Sequence, residues 1–177
     1  MPGTTIGKIM NFGYSGNISR MADAIVDNRI LKSTLVSGVE QNASVTFGEP
    51  VILNSDNSYS RFGSTGTMAT LAGIAVREVM QATTYANTVG AYTPGNAMDV
   101  LVRGTITVLC NVGIPTAGGN VYIRITANGA IPAGVVGQFE ASADGANTIL
   151  ITNMKWTTGQ IDSNSIAEVT ITTMVNP

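Results

Sequence analysis

The sequence contains no histidine and only one cysteine, and these two shortages exclude much of enzyme chemistry. Histidine is the commonest general base and a frequent metal ligand, so this chain cannot build a serine–histidine or cysteine–histidine catalytic pair. Cys110 cannot form an internal disulfide, and its place in an apolar pattern predicts a small buried side chain. Asp56, Asp99, Glu140 and Asp144 form no recognisable constellation, so we expect surface or turn positions for them. We therefore predict no enzyme activity, no cofactor and no metal site.

Charge is also scarce. Only 11% of the residues are charged, against about 25% in typical soluble domains. A freely diffusing monomer normally covers itself with more charge, so we expect other copies or partners to cover much of this surface. The net charge is −2 and no basic run occurs, which argues against nucleic acid as a partner.

Long apolar runs are missing as well. No stretch approaches the ~18 apolar residues of a membrane-spanning helix, and no basic-then-apolar signal segment opens the sequence. The sequence therefore predicts no membrane partner and synthesis inside the cell.

What the sequence does contain is strand-like alternation, with 44% hydrophobic residues, 20 glycines and 6 prolines. The longest such stretch covers residues 97–110. Its even positions are all non-polar: Met98, Val100, Val102, Gly104, Ile106, Val108 and Cys110. Since successive side chains of a strand point to opposite faces, this period of two predicts a half-buried β-strand. Gly104 is the expected place for a bend or bulge.

Shorter stretches of the same kind surround the central one. Strands are predicted at residues 50–53, 71–79, 120–126, 135–141, 148–156 and 166–175, with a weak strand or loop at 83–96. Asn128-Gly129 is the strongest hairpin signal. Many short strands between turns predict an all-β fold, an antiparallel β-barrel or β-sandwich. The predicted inner face comprises Val100, Val102, Ile106, Val108, Val121, Ile123, Ile125, Val169 and Ile171.

The first part of the chain has a different character, and we predict an N-terminal arm (residues 1–45) followed by the β-barrel or β-sandwich domain (residues 46–177). Helical spacing after a candidate N-cap, Asn17, links Ile18, Met21, Ala22 and Ile25, which suggests one short helix. The same region also reads as extended chain, and we expect an arm docked on a neighbouring molecule. The candidate interface residues are Phe12, Tyr14, Ile18, Arg20, Met21, Ile25, Arg29, Ile30 and Leu31.

Five segments in order carry a resemblance to a known family. They read FGEPVILN (47–54), AGIAVRE (72–78), VLVRGTITV (100–108), GGNVYIR (118–124) and GVVGQFEA (134–141). The opening YSGNISR (14–20) adds a less specific match. Together they resemble the capsid cement, or decoration, proteins of tailed bacteriophages.

This resemblance implies a β-barrel or β-sandwich bound to the outside of an icosahedral shell, without catalysis or cofactor. The implied partner is the major capsid protein, contacted across seams between capsomers, and the implied location is the outer surface of the virion. Self-association is also expected, with a trimer as the predicted state. The alternative is a carbohydrate-binding module, for which Trp156, Tyr59, Tyr92 and Tyr122 would have to form an exposed stacking platform.

Overall fold

The computed structural model describes residues 11–77 and 90–174, and within them the chain is built almost entirely of strands. The strands are β1 (Ile18–Ile30), β2 (Leu35–Val36), β3 (Val39–Glu40), β4 (Val45–Thr46), β5 (Pro50–Leu53), β6 (Tyr59–Arg61), β7 (Leu71–Ala75), β8 (Ala91–Tyr92), β9 (Ala97–Val112), β10 (Asn120–Arg124), β11 (Phe139–Glu140), β12 (Thr148–Ile161) and β13 (Ile166–Ile171). A 3-10 turn at Gly145–Asn147 precedes β12. No helix in this part of the chain is long and apolar enough to cross a membrane. The predicted all-β class is confirmed.

Five strands close into a barrel. They follow the order β11-β10-β12-β13-β9, and a parallel pairing of β11 with β9 completes the circle. The other four pairings of the barrel are antiparallel. Beyond the barrel, β9 also pairs with β7, which leads through β5 to β6, and separately with β1. The predicted β-barrel is therefore confirmed, and its central strand is β9.

Strand β9 contributes side chains to two hydrophobic clusters, because the alternation of buried and exposed side chains along it shifts at Gly104. Val100 and Val102 pack in a cluster with Tyr59 and Tyr92. Leu101, Ile106 and Val108 instead belong to the larger cluster of the barrel strands. Gly104 has φ = +121°, a backbone conformation that residues with a side chain rarely adopt. The predicted bend at Gly104 is thus a change of face within one continuous strand.

The predicted inner face is buried almost throughout. Ile125 packs against the larger cluster but is only partly buried. The other eight residues are buried: Val100, Val102, Ile106, Val108, Val121, Ile123, Val169 and Ile171. The predicted burial is confirmed for these eight residues, but the single inner face predicted for β9 is wrong: Val100 and Val102 pack in the cluster of Tyr59 and Tyr92, whereas Ile106 and Val108 pack in the barrel cluster.

The predicted short helix after Asn17 is wrong, because this segment forms β1. Strand β1 runs antiparallel to β9, from Ile30 opposite Ala97 to Ile18 opposite Ile106. The register shifts between Arg20 and Ile25, so residues 21–24 bulge outward across from Gly104. A bulge interrupts the period of two, which is why apolar residues here fall at three- and four-residue spacing.

The expected surface position of Glu140 is also wrong. Its carboxylate is fully buried and accepts hydrogen bonds from both Nε and Nη2 of the equally buried Arg124, the latter at 2.9 Å. Arg124 Nη1 donates to Asp144 at 2.8 Å. The hydrogen bond to Glu140, and to a lesser extent the one to Asp144, raises the pKa of the Arg124 guanidinium. Two charges can be buried together because each satisfies the other.

Two further predictions differ in extent. Only Phe139–Glu140 of the predicted strand at 135–141 is extended, and Asn128-Gly129 lies in a longer connection between β10 and β11. Residues 78–79, 83–89 and 175 of the predicted elements lie outside the described residues.

Candidate interaction surface

The described residues hold no cluster of metal-ligating side chains, and their one thiol is buried. Residues 11–77 and 90–174 contain no group of three or more cysteine, aspartate or glutamate side chains able to hold a metal ion. Cys110 is buried, and burial raises the pKa of its thiol to about 11. A thiol with this pKa stays protonated near neutral pH, so it is a poor nucleophile.

The proposed aromatic platform is not on the surface. Tyr59, Tyr92 and Trp156 are buried, and Tyr92 packs edge-on against Phe47 with ring centroids 5.2 Å apart. Only Tyr122 is partly accessible. These aromatic rings are core side chains, as their size favours.

The segment before β1 is held against the barrel. Gly16 N donates to Thr107 O and Arg77 N donates to Gly16 O, both at 2.7 Å. The Arg77 guanidinium lies 4.6 Å from the centroid of the Tyr14 ring and 5.3 Å from that of Phe47. This stack orders Tyr14 while leaving most of the side chain exposed.

Strand β1 exposes several large apolar side chains, while two of its charged side chains are partly buried. Val26 and Ile30 are exposed, whereas the side chains of Asp27 and Arg29 are turned toward Tyr59. Tyr59 Oη donates to Asp27 at 2.7 Å, and Arg29 Nε donates to the same oxygen at 2.6 Å. Burial is the largest cause of a raised pKa of the Tyr59 hydroxyl, and the hydrogen bond to Asp27 is the next largest.

Two ion pairs also connect the bulge of β1 to neighbouring strands. Arg20 contacts the nearly buried Glu168 at 3.4 Å, and Asp23 accepts from Arg103 at 2.9 Å. Between them, Met21 projects outward and is 73% exposed. We call the exposed apolar residues of this strand the β1 face: Met21, Ile25, Val26 and Ile30.

A short hairpin follows β1. Strands β2 and β3 pair through Leu35 with Glu40 and Val36 with Val39. The two turn residues, Ser37 and Gly38, have φ values of +51° and +80°, the signature of a tight type I′ hairpin turn. Leu35, Val36 and Val39 are 66%, 56% and 61% exposed. We call residues 35–40 the β2–β3 hairpin.

The structure separates the predicted interface residues into two groups. Tyr14, Arg20, Met21, Ile25 and Ile30 are exposed. Phe12, Ile18 and Arg29 are partly buried, and Leu31 is fully buried in the core cluster of Tyr59 and Tyr92.

The predicted interface omits four further exposed apolar residues: Val26, Leu35, Val36 and Val39. A signal for three of them was present, since two apolar residues before Ser37-Gly38 and one after it fit a tight hairpin.

Two concavities lie near these segments. A groove of about 580 Å³ lies beside Ile30 and is lined by Asn28, Arg29, Ile30, Lys32, Ser33, Asp56, Asn57 and Ser58. A smaller cavity of about 150 Å³ lies at Phe47 and Phe139. Its carboxylate, Glu49, is already bonded to Arg61, Gln138 and the backbone of Thr46.

Comparison with known proteins gives this surface its context. Residues 2–172 match the structural cement protein family (E217 gp24/Pam3 gp6). Among solved structures, a chain from the capsid of Myoviridae phage XM1 is similar, with a TM-score of 0.66 and 14% sequence identity over 89% of this chain and 89% of that chain. At this identity the likeness shows the fold alone. No curated protein matches the chain.

These matches give no support to a carbohydrate-binding module, and the buried aromatic rings leave it without a platform. A structural role agrees with the scarce charge and with a strand that turns apolar side chains outward. Since the match takes in residues 2–172 of 177, the chain belongs to the structural cement protein family of bacteriophages.

Proposed function

We propose that this cement protein binds the outer surface of an icosahedral phage head, contacts the major capsid protein across seams between capsomers, and stabilises the shell without catalysis. It would be made in the host cytoplasm. The proposed contact surface is the β1 face together with Tyr14 and the exposed side chain of Arg20.

One observation carries this proposal: β1 turns apolar side chains to solvent while its charged groups pair with the protein's own residues. Met21, Ile25 and Ile30 are exposed, and Asp27 is bonded to Tyr59. A strand of a free monomer normally has the opposite arrangement, with its polar side chains in water. Exposed apolar side chains on one strand mark a surface that a partner covers.

To stabilise a shell, a cement protein must contact more than one capsid subunit. An assembled shell places neighbouring subunits close enough for this. Burial of apolar area contributes about 25 cal/mol per Å². A protein that contacts two subunits gains affinity because the second contact is intramolecular. Anything that binds the assembled shell better than its separate parts stabilises it by mass action.

The test uses shells of the corresponding phage assembled without this protein. The variant Met21→Ser/Ile25→Ser/Ile30→Ser should lose at least ~10-fold in affinity, and should no longer raise the temperature at which shells break open. Ile114→Ser is the matched control, because Ile114 is 78% exposed but lies in the connection between β9 and β10. Unchanged binding of the triple variant would contradict the proposed surface.

We further propose that the protein associates with itself, with a trimer as the expected state. Scarce charge and several exposed apolar residues support association. Sedimentation equilibrium of the free protein measures it directly. A monomer at high concentration would refute self-association away from the shell.

Immunogold labelling of intact heads would show whether the protein lies on the outer surface of the shell.

A further inference from the structure

The β2–β3 hairpin is the second exposed apolar element of the chain, and it stands apart from the sheet. Within the described residues, β2 and β3 pair only with each other. A Cβ placed on Gly38 at the tip would meet no atom within 4 Å. The tip therefore projects from the body of the protein.

An isolated two-stranded hairpin is at best marginally stable in water, yet this one is braced at its base. The Glu40 carboxylate accepts hydrogen bonds from Ser33 Oγ at 2.5 Å, Thr34 N at 3.0 Å, and Asn42 N and Nδ2 at 2.9 and 2.8 Å. Gln41 N donates to Thr34 O at 3.0 Å. Four donors on one carboxylate hold the two ends of the hairpin together at its base.

The tip of the hairpin carries no charge. Residues 34–39 have no charged side chain, and the carboxylate of Glu40 lies at the base, where it accepts hydrogen bonds from Ser33, Thr34 and Asn42. The nearest cation before the hairpin, Lys32, is paired with Asp56 at 2.8 Å. An uncharged tip with three apolar side chains fits an apolar socket and is unsuited to a charged surface.

We propose that the β2–β3 hairpin is a preformed plug that inserts Leu35, Val36 and Val39 into an apolar socket on the major capsid protein. This inference rests on the proposed function. It adds a second contact element that differs from the β1 face in kind. A plug that is already ordered loses little conformational entropy on binding, so its apolar contacts translate efficiently into affinity.

The first experiment measures affinity of the full chain for shells that lack the protein. Leu35→Ser/Val36→Ser/Val39→Ser should weaken binding at least ~30-fold while the thermal midpoint of the free protein stays unchanged, since the hairpin is outside both cores. Ile114→Ser serves again as the control. If the hairpin variant bound shells with wild-type affinity, the hairpin would not be a contact element. The β1-face variant would still test the proposed function separately.

The second experiment identifies the occupant. In Val36→Cys the new thiol is exposed, whereas Cys110 is buried with a pKa raised to about 11, so a benzophenone maleimide should label position 36 selectively. Illumination on shells should crosslink the label to the major capsid protein. A crosslink to a second copy of this chain, or none at all, would overturn the proposal. Labelled Ile114→Cys should give no crosslink.

Discussion

At the scale of single residues, burial predicts large and unequal costs for the same substitution. Ile106 is fully buried in the larger core, whereas Ile114 is mostly exposed. Ile106→Ala should lower the free energy of unfolding by about 2–5 kcal/mol, because it removes buried methylene groups and leaves a cavity. Ile114→Ala should change it by less than about 0.5 kcal/mol. Denaturant unfolding of both variants measures the difference, and equal costs would contradict the described strand register.

Acid should loosen the β2–β3 hairpin through Glu40. The hydrogen bond from Ser33, followed by those from Thr34 and Asn42, lowers the pKa of Glu40 from 4.5 to about 2. Because the folded-state pKa is the lower one, the brace is complete above pH 4.5 and is lost as the pH falls through about 2. The anisotropy of a dye on Val36→Cys should therefore drop within this window.

Two controls assign that acid transition. Glu40→Gln cannot titrate, so the step in anisotropy should disappear. Asp56 also has its pKa lowered to about 2, chiefly by Lys32, and Asp56→Asn should keep the step. A step that survives in Glu40→Gln would show that another group controls the hairpin.

At the scale of elements, the crossing of β1 and β9 depends on one glycine. A Cβ on Gly104 would lie 2.9 Å from Cα of Ala24 in the bulge, and φ is +121°. Gly104→Ala should destabilise the protein by about 1–3 kcal/mol through backbone strain alone, with the clash adding to this. Thermal unfolding measures it.

Gly129→Ala is the matched control for Gly104→Ala, because a Cβ at position 129 would meet no atom within 4 Å. We expect its free energy of unfolding to stay within about 1 kcal/mol of the wild-type value. If Gly104→Ala also left the free energy of unfolding within about 1 kcal/mol of the wild-type value, β1 could not approach β9 as closely as described.

At the scale of the whole molecule, the division at residues 45/46 stays a prediction. Deletion of residues 1–45 keeps the five barrel strands and β5–β7. It removes β1 from β9, takes Leu31 and Val45 out of their core cluster, and divides β4. We expect the remainder to fold, with a free energy of unfolding lower by at least the ~2–5 kcal/mol typical of a buried leucine. Circular dichroism and thermal melting test this.

Leu31→Ala in the full chain separates the loss of one core side chain from the loss of β1. If residues 46–177 melt without cooperativity, the first 45 residues belong to the same folding unit and the predicted boundary is wrong. The truncated protein should also lose affinity for shells, because both the β1 face and the β2–β3 hairpin are gone.

Local sequence pattern is sufficient to predict the all-β class, the central strand and most of the buried strand residues. Alternation is a local property, and where apolar residues alternate over several positions, as from Ile106 to Cys110, one register buries them all. The same holds for Val121 and Ile123, which are buried as predicted. The change of buried face at Gly104 is not visible in the alternation. The ordered β segments were also sufficient to identify the cement family, which the match to residues 2–172 confirms.

The direction in which β1 faces and the identity of the buried charges could not be predicted in this way, because both depend on contacts made in the folded protein. The outward direction of Met21 and Ile30 follows from pairing with β9 and from the bulge opposite Gly104, contacts between residues far apart in the chain. The burial of Glu140 likewise depends on Arg124 reaching it from a neighbouring strand. A local pattern cannot reveal such pairs, because their energy comes from partners that folding alone brings together.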